Sequence, residues 1–231
     1  MLILEGLKVA QGGFHLTGDL SVVAGEITAV IGPSGGGKST LLSTIAGFIT
    51  PQSGRVIWDG VDLTEMTPGG RPISLIFQDN NLFPHFTAFE NVAIGVRPDM
   101  RLNEADKARV ITALERVGLQ GLETRKPAAL SGGQQSRVAL ARVLVRGKPL
   151  LLLDEPFAAL GPALRAEMLD LVAELARDSG ATMLMVTHDP ADAMRIAGQT
   201  VFVDAGVVHA SEETGALFAD PPEALRGYLG R

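Results

Sequence analysis

The sequence predicts an α/β fold around a mainly parallel sheet, with an antiparallel β segment at its N-terminal end and a helical segment inserted in its middle. Three observations predict this. A glycine-rich loop joins the apolar run Ile27-Thr28-Ala29-Val30-Ile31 to a helical stretch starting near Lys38. Two further runs, Leu150-Leu151-Leu152-Leu153 and Thr182-Met183-Leu184-Met185-Val186, are apolar at nearly every position, as parallel strands covered on both faces are. Between these regions, from Asp79 to about Pro127, the character turns helix-rich.

Bulk properties set the bounds. The 231 residues suffice for one large domain, or one domain with a small lobe, and 46% hydrophobic content supports a sizeable core. A formal net charge of −6 argues against a general nucleic-acid binder, which needs a basic face. The absence of cysteine excludes disulfides and thiolate metal sites and fits a reducing compartment. Met1-Leu2-Ile3-Leu4-Glu5 lacks the basic region and apolar core of a signal peptide. No apolar run reaches the roughly 18–20 residues of a membrane span. The expectation is a soluble, cytoplasmic protein that something else must hold at a membrane if it works there.

In chain order, Leu2-Ile3-Leu4, Leu7-Lys8-Val9 and Asp19-Leu20-Ser21-Val22-Val23 read as short strands separated by glycines, close enough for hairpins. Thr50-Pro51-Gln52-Ser53-Gly54 is a turn cluster, and Arg55-Val56-Ile57-Trp58-Asp59-Gly60 another strand, joining that same sheet. Arg71-Pro72-Ile73-Ser74-Leu75-Ile76-Phe77-Gln78 runs as a strand ending in glutamine. Asn103-Glu104-Ala105-Asp106 caps a helix ending near Gly118, and Ser131 opens another that Lys148-Pro149 closes. A helix follows from Pro162 to Arg177, and strands and helices then alternate to the end. No repeat or low-complexity tract is present.

The loop Gly32-Pro33-Ser34-Gly35-Gly36-Gly37-Lys38-Ser39-Thr40 satisfies G-x-x-x-x-G-K-[ST], with a strand before it and a helix after it. Its glycines let successive N–H groups turn toward phosphate oxygens, and the helix N-terminus favours an anion. Lys38 is placed to reach the β- and γ-phosphates, and the Ser39 hydroxyl to ligate Mg²⁺. Asp154, ending an apolar strand, suits a group that holds Mg²⁺ beside Ser39, and Glu155 suits a group that polarises water for in-line attack. Taken alone, the two carboxylates also fit a solvated strand end.

Leu130-Ser131-Gly132-Gly133-Gln134 is the most diagnostic stretch. With it the chain resembles the ATP-binding cassette family, whose order of phosphate loop, glutamine loop, signature, Mg²⁺ strand and switch histidine is matched by the phosphate loop, Gln78, the pentapeptide, Asp154 with Glu155, and His188. The resemblance covers nearly the whole chain. It implies a P-loop NTPase core in residues 1–78 and 131–231, a helical subdomain in residues 79–130, and no C-terminal regulatory domain. It implies ATP and Mg²⁺, and a head-to-tail homodimer in which Ser131 and Gly133 of one subunit close on the ATP held by Lys38 and Ser39 of the other. Gln78 then contacts Mg²⁺ or the attacking water, and His188 the γ-phosphate. A strand-end histidine followed by Asp189-Pro190 is by itself equally a cap. His15, His85 and His209 show no ligand spacing and are read as ordinary residues.

Two departures stand out. Where the family usually has Asp after Ala-Leu, this chain has Phe157-Ala158-Ala159-Leu160-Gly161-Pro162, which implies weaker coupling between the two sites. Where the family stacks adenine on an aromatic residue, this chain has Gln11-Gly12-Gly13, with Phe14 the only aromatic before the loop; Phe14 is either the platform or core packing.

An ATPase without a membrane segment must pass its closure to a partner. Asn80-Asn81-Leu82-Phe83-Pro84-His85-Phe86, after Gln78, lies where importers of this family receive a helix from the membrane subunit, although Phe83 and Phe86 also fit the core of the lobe. The resemblance thus implies two permease subunits, an indirect substrate-binding protein, no nucleic acid, and a peripheral place on the cytoplasmic face of the inner membrane. Arg71-Pro72-Ile73-Ser74, Phe77-Gln78-Asp79-Asn80-Asn81-Leu82-Phe83 and Pro162-Ala163-Leu164-Arg165-Ala166-Glu167-Met168-Leu169 look most like the thiamine-import branch, with iron, polyamine and sulfate importers as alternatives. Cassettes that act on ribosomes or DNA generally carry two cassettes or long insertions, and the acidic balance here argues against them. A regulator that hydrolyses nothing is opposed by the intact Lys38, Gln78, Asp154, Glu155 and His188, with Gly161 in its favour.

Overall fold

The computed structural model describes residues 1–79 and 81–230. Ten strands form a single twisted sheet that changes character along its width. At one side lie β1 (Leu2–Gln11), β2 (Phe14–Val22), β4 (Ser53–Trp58) and β5 (Val61–Asp62), paired antiparallel with one another. At the other lie β3 (Ile27–Ile31), β6 (Ile73–Ile76), β7 (Leu150–Asp154), β8 (Thr182–Val186) and β9 (Gln199–Asp204), all parallel to one another. The spatial order is β5-β4-β1-β2-β10-β9-β3-β8-β7-β6, where β10 (Val207–Glu213) joins the halves.

The all-apolar strands are explained by two cores, one on each face. In β7, Leu150 and Leu152 face one core while Leu151 and Leu153 face the other; in β8, Leu184 and Val186 oppose Met183 and Met185 in the same way. Alternation persists, but both faces are dry, so no polar residue marks it. The helix after the glycine loop, α1 (Lys38–Ala46), lies in the core shared with β1 and β2 through Leu41, Leu42 and Ile45. The opposite core receives α2 (Ala88–Val96), α3 (Glu104–Arg116), α4 (Gly132–Val145), α5 (Pro162–Ser179) and α6 (Pro190–Ile196). Two short helices, α7 (Thr214–Ala219) and α8 (Glu223–Leu229), finish the chain.

Local chemistry sets the helix starts. Thr87 with Glu90, Asn103 with Asp106, and Ser131 with Gln134 each form a reciprocal capping box at α2, α3 and α4. α1 ends on Gly47 in the left-handed region, and the buried Arg71 guanidinium donates to the Thr44 and Ile45 carbonyls there, at 2.9 and 2.7 Å.

Three sequence expectations are corrected. The first two short strands are one, β1, whose register shifts between Leu4 and Leu7 where Gly6 donates its N–H to Asp19 Oδ1 at 2.6 Å. The strand after Arg71 spans only Ile73–Ile76, which leaves Gln78 exposed beyond its end. Strands and helices do not alternate to the end, because β9 and β10 form an antiparallel hairpin. Ala205 at φ 47° and Gly206 at φ 78° make its two-residue turn, the left-handed pair that the twist of a tight hairpin requires.

Candidate active site

The site begins where β3 ends. Gly32 adopts φ 148°, and a Cβ there would overlap the Val203 carbonyl oxygen of β9, so only glycine lets the loop leave the sheet so close to its neighbour. Gly37 caps α1 without any side-chain hydrogen bond, and no acidic residue occupies the first turn. The amide donors of that turn are left to a ligand, and the helix dipole favours an anion.

Lys38 is buried, and its Nζ donates to the carbonyls of Gly32 and Pro33 at 2.8 and 2.9 Å, closing the loop on itself. Burial lowers its pKa, against the opposing pull of the Glu155 and Asp154 charges. A cleft of about 430 Å³ opens over the loop, lined by Phe14, Ser34, Gly35, Lys38, Ser39 and Glu155, with Gly37 and Thr40 completing it. Phe14 is half-buried, and its ring lies close enough to Gly37 that a Cβ there would come within 3.0 Å of Cζ. Phe14 therefore faces the cleft as well as the core.

Two carboxylates meet the loop from the end of β7. Ser39 Oγ donates to Asp154 Oδ1 at 3.2 Å. Burial raises the Asp154 pKa; the Ser39 hydrogen bond and Lys38 pull it down, while the Glu155 charge pushes it further up. The chain itself thus leaves this carboxylate short of positive charge. Hard oxygen donors beside a phosphate loop fit Mg²⁺, which fills its octahedron with waters and phosphate oxygens. Among the described residues no cluster of three or more His, Cys, Asp or Glu could hold a metal, and an ion bound in that open way needs none.

Glu155 takes φ 45°, a left-handed conformation that costs a non-glycine residue roughly 1–3 kcal/mol. Its N–H still donates to the Val186 carbonyl, which extends the β7–β8 pairing to the turn. His188 Nδ1 lies 2.8 Å from Glu155 Oε2, across the gap between the ends of β8 and β7. The two candidate reacting side chains are therefore in contact.

A buried polar network behind His188 was not foreseen from sequence. Thr187 Oγ1 donates to Asp192 Oδ2 at 2.6 Å, Arg165 of α5 binds the same oxygen, and Asp189 caps α6 by accepting from the Ala191 N–H. Arg165 and Asp192 are 27 residues apart and belong to no common motif, so local pattern gives no sign of the pair. Asp189 is the cap, and His188 is free to face Glu155.

The signature stays apart from this cleft. Ser131 caps α4, accepting from Gln134 N–H, and a Cβ on Gly133 would come within 2.5 Å of Leu164 on α5. None of Leu130, Ser131, Gly132, Gly133 or Gln134 lines the cleft over Lys38. The loop before α2 presents Phe83 exposed and Phe86 half-buried, their rings 5.5 Å apart, with the buried Asn91 side chain pinning the Phe83 and Phe86 backbone. Asn80, the start of the stretch expected to meet a partner, lies outside the described residues. No helix of the described residues is long and apolar enough to cross a membrane.

Comparison with known proteins agrees with this geometry. Residues 17–158 match the model of the ABC transporter family. The chain is 60% identical over 230 residues to the thiamine import ATP-binding protein of Cereibacter sphaeroides, covering 100% of both chains. It is 53% identical to the protein of the same name from Brucella suis, covering 98% of this chain and 95% of the other. Among solved structures, the cbiO1 subunit of a Clostridium perfringens ABC transporter complex superposes with a TM-score of 0.86 at 32% identity, covering 100% of this chain and 94% of that one. A dimeric ATP-binding cassette in a post-hydrolysis state, bound to ADP and Pi, superposes at 0.80 with 30% identity, covering 93% and 99%. With full-length relatives at this identity and a nucleotide loop, carboxylates and histidine assembled at the C-terminal ends of β3, β7 and β8, the chain belongs to the ABC transporter family as an ATP-binding cassette subunit.

Proposed function

We propose that this chain hydrolyses ATP at the cytoplasmic face of a membrane and so powers the import of thiamine or its phosphates. The observation that carries the hydrolytic reading is the 2.8 Å contact between His188 and Glu155 at the mouth of the cleft that holds Lys38. ATP enters as substrate. Lys38 and the amides of the α1 N-terminus hold its β- and γ-phosphates, and Phe14 is the surface for the base; weaker nucleotide binding by Phe14→Ala is the measurement of that role. Ser39 and Asp154 would hold Mg²⁺, which when bound neutralises the phosphate oxygens, and Gln78, exposed beyond the end of β6 and outside this cleft, would join them on closure.

Glu155 accepts the proton of a water whose oxygen attacks the γ-phosphorus in line. The new P–O bond forms as the bridging oxygen leaves with the β-phosphate, giving ADP and phosphate. His188 orients that water and the γ-phosphate from its seat against Glu155. The protein's contribution is positioning and charge.

The signature residues complete the site of a second copy. Leu130-Ser131-Gly132-Gly133-Gln134 lie away from the chain's own cleft, as a head-to-tail homodimer requires. Residues 79–130 carry closure to two permease subunits, with Phe83 and Phe86 at the contact and the exposed Phe48–Phe77 pair next to it through Phe77, which adjoins Gln78 in sequence. A substrate-binding protein is then the indirect partner. The cargo rests on the full-length relatives alone, since no residue of the cleft would touch thiamine.

The test is uptake of labelled thiamine in cells lacking this gene, complemented with wild type or Glu155→Gln, alongside ATP binding and turnover by the purified chain. The expected outcome is uptake restored by wild type only, with Glu155→Gln binding ATP but turning it over at least about a hundredfold more slowly. Undiminished uptake in a deletion strain without another thiamine carrier removes the cargo; normal turnover by Glu155→Gln removes the catalytic assignment.

A further inference from the structure

We propose that Tyr228, on the last helix of the chain, is a positioning residue for the Glu155–His188 pair. Its hydroxyl donates to the His188 carbonyl, 40 residues away in sequence. The peptide it holds is the one where the chain leaves β8 for α6, and the imidazole of that same residue reaches Glu155 Oε2. Thr187, Asp189 and Asp192 brace the neighbouring residues, but the His188 carbonyl is met by Tyr228.

α8 is anchored well enough to act as such a brace. Leu225 is fully buried, the Tyr228 ring lies against Phe202 of β9 with centroids 6.3 Å apart, and Arg226 Nε donates to the Pro221 carbonyl at 2.6 Å. Burial pushes the Tyr228 phenol up, and the Glu155 and Asp189 charges add to that. The group therefore keeps its proton and serves as a donor to the carbonyl. Held from behind, the His188 peptide cannot swing, and the imidazole keeps its distance to the carboxylate. Nucleotide binding, made at Lys38 and the α1 N-terminus, does not pass through this contact.

The kinetic part of the test rests on the ATPase reading above; the spectroscopic part does not. The variant is Tyr228→Phe in the full chain, which keeps the ring against Phe202 and removes only the hydroxyl. We expect kcat to fall about fivefold to tenfold with KM for ATP unchanged, and the unfolding midpoint to fall by no more than the loss of one hydrogen bond accounts for. With four histidines in the chain, the His188 ring resonances are assignable against a His188→Asn control, and they should shift in Tyr228→Phe. If the wild-type chain hydrolyses no ATP, the ATPase reading fails, and the resonances alone decide this proposal. Unshifted resonances overturn it. So does an unchanged kcat in an active enzyme, or a fall matched by a rise in KM, since either then reflects a merely structural contact.

Discussion

Asp154 shows how a single side chain carries a cost that its task requires. Burial holds its carboxyl above the ordinary 3.8, Ser39 and Lys38 offset part of this, and Glu155 adds to it. An acid with a raised folded value binds more protons folded than unfolded in the window above 3.8. Its favourable contribution to stability is therefore present at low pH and lost as pH rises through the folded value. Asp154→Asn should accordingly melt higher than wild type near neutral pH, and the gap should close as pH falls toward 3.8. The same variant should lose Mg²⁺-dependent ATP turnover by roughly a hundredfold. A calorimetric pH series together with an activity assay checks both; a variant that melts lower at neutral pH contradicts the electrostatic account. Glu155 makes a parallel case in the backbone, since its left-handed φ turns the carboxylate out of β7 to meet His188.

At the scale of the element, caps decide where helices begin and what their first turns are free to bind. α2, α3 and α4 satisfy their first amides with Thr87, Asn103 and Ser131, whereas α1 leaves them open over Lys38. α5 begins on Gly161, in an extended conformation with no side chain to cap it, and the space a Cβ would occupy is open. Gly161→Asp should therefore fit without strain and stabilise the chain by a few tenths of a kcal/mol, about the difference between glycine and aspartate at such a position. It also restores the carboxylate usual in the family, so cooperativity of ATP turnover should rise. Thermal melts and the ATP concentration dependence of the rate measure the two effects separately. Unchanged rate and cooperativity would count against a coupling role for that position.

Across the whole molecule, the functional parts are held together by the seam between the antiparallel and parallel halves of the sheet. β10 pairs with β2 in parallel at Val207 and Val208, and with β9 in an antiparallel hairpin. At the turn, Gly206 accepts from Thr17 N–H at 2.7 Å and donates to the Gly36 carbonyl of the phosphate loop at 3.0 Å. With φ 78° and the His15 carbonyl where a Cβ would stand, Gly206 has no tolerance for a side chain. Gly206→Ala should lower stability by about 2 kcal/mol or more and weaken nucleotide binding, because both halves and the loop meet there. Denaturant midpoints and calorimetric titration with ATP are the checks, and wild-type values for both would show the seam to be more compliant than the backbone geometry states.

What the sequence by itself determined is what short-range chemistry encodes: the glycine loop between strand and helix, the capped starts at Asn103 and Ser131, the dry runs of β7 and β8, and the order of motifs that marks the family. Each needs only a few consecutive residues, because phosphate binding, capping and burial on both faces each impose a local pattern. Tertiary structure alone decided which of these meet. Arg165 with Asp192, Tyr228 with His188, and Gly206 with Gly36 are contacts between residues with no shared periodicity, made only when the sheet closes. The β9–β10 hairpin belongs with them: Ala205-Gly206 becomes a turn signal only once both flanking strands have neighbours to pair with. Gln78 and the signature pentapeptide were legible as motifs, yet their separation from the cleft follows from where β6 ends and from the packing of Gly133 against α5. Local patterns name the groups able to do chemistry, and long-range packing, whose free energy is not written in any one segment, sets the distances between them.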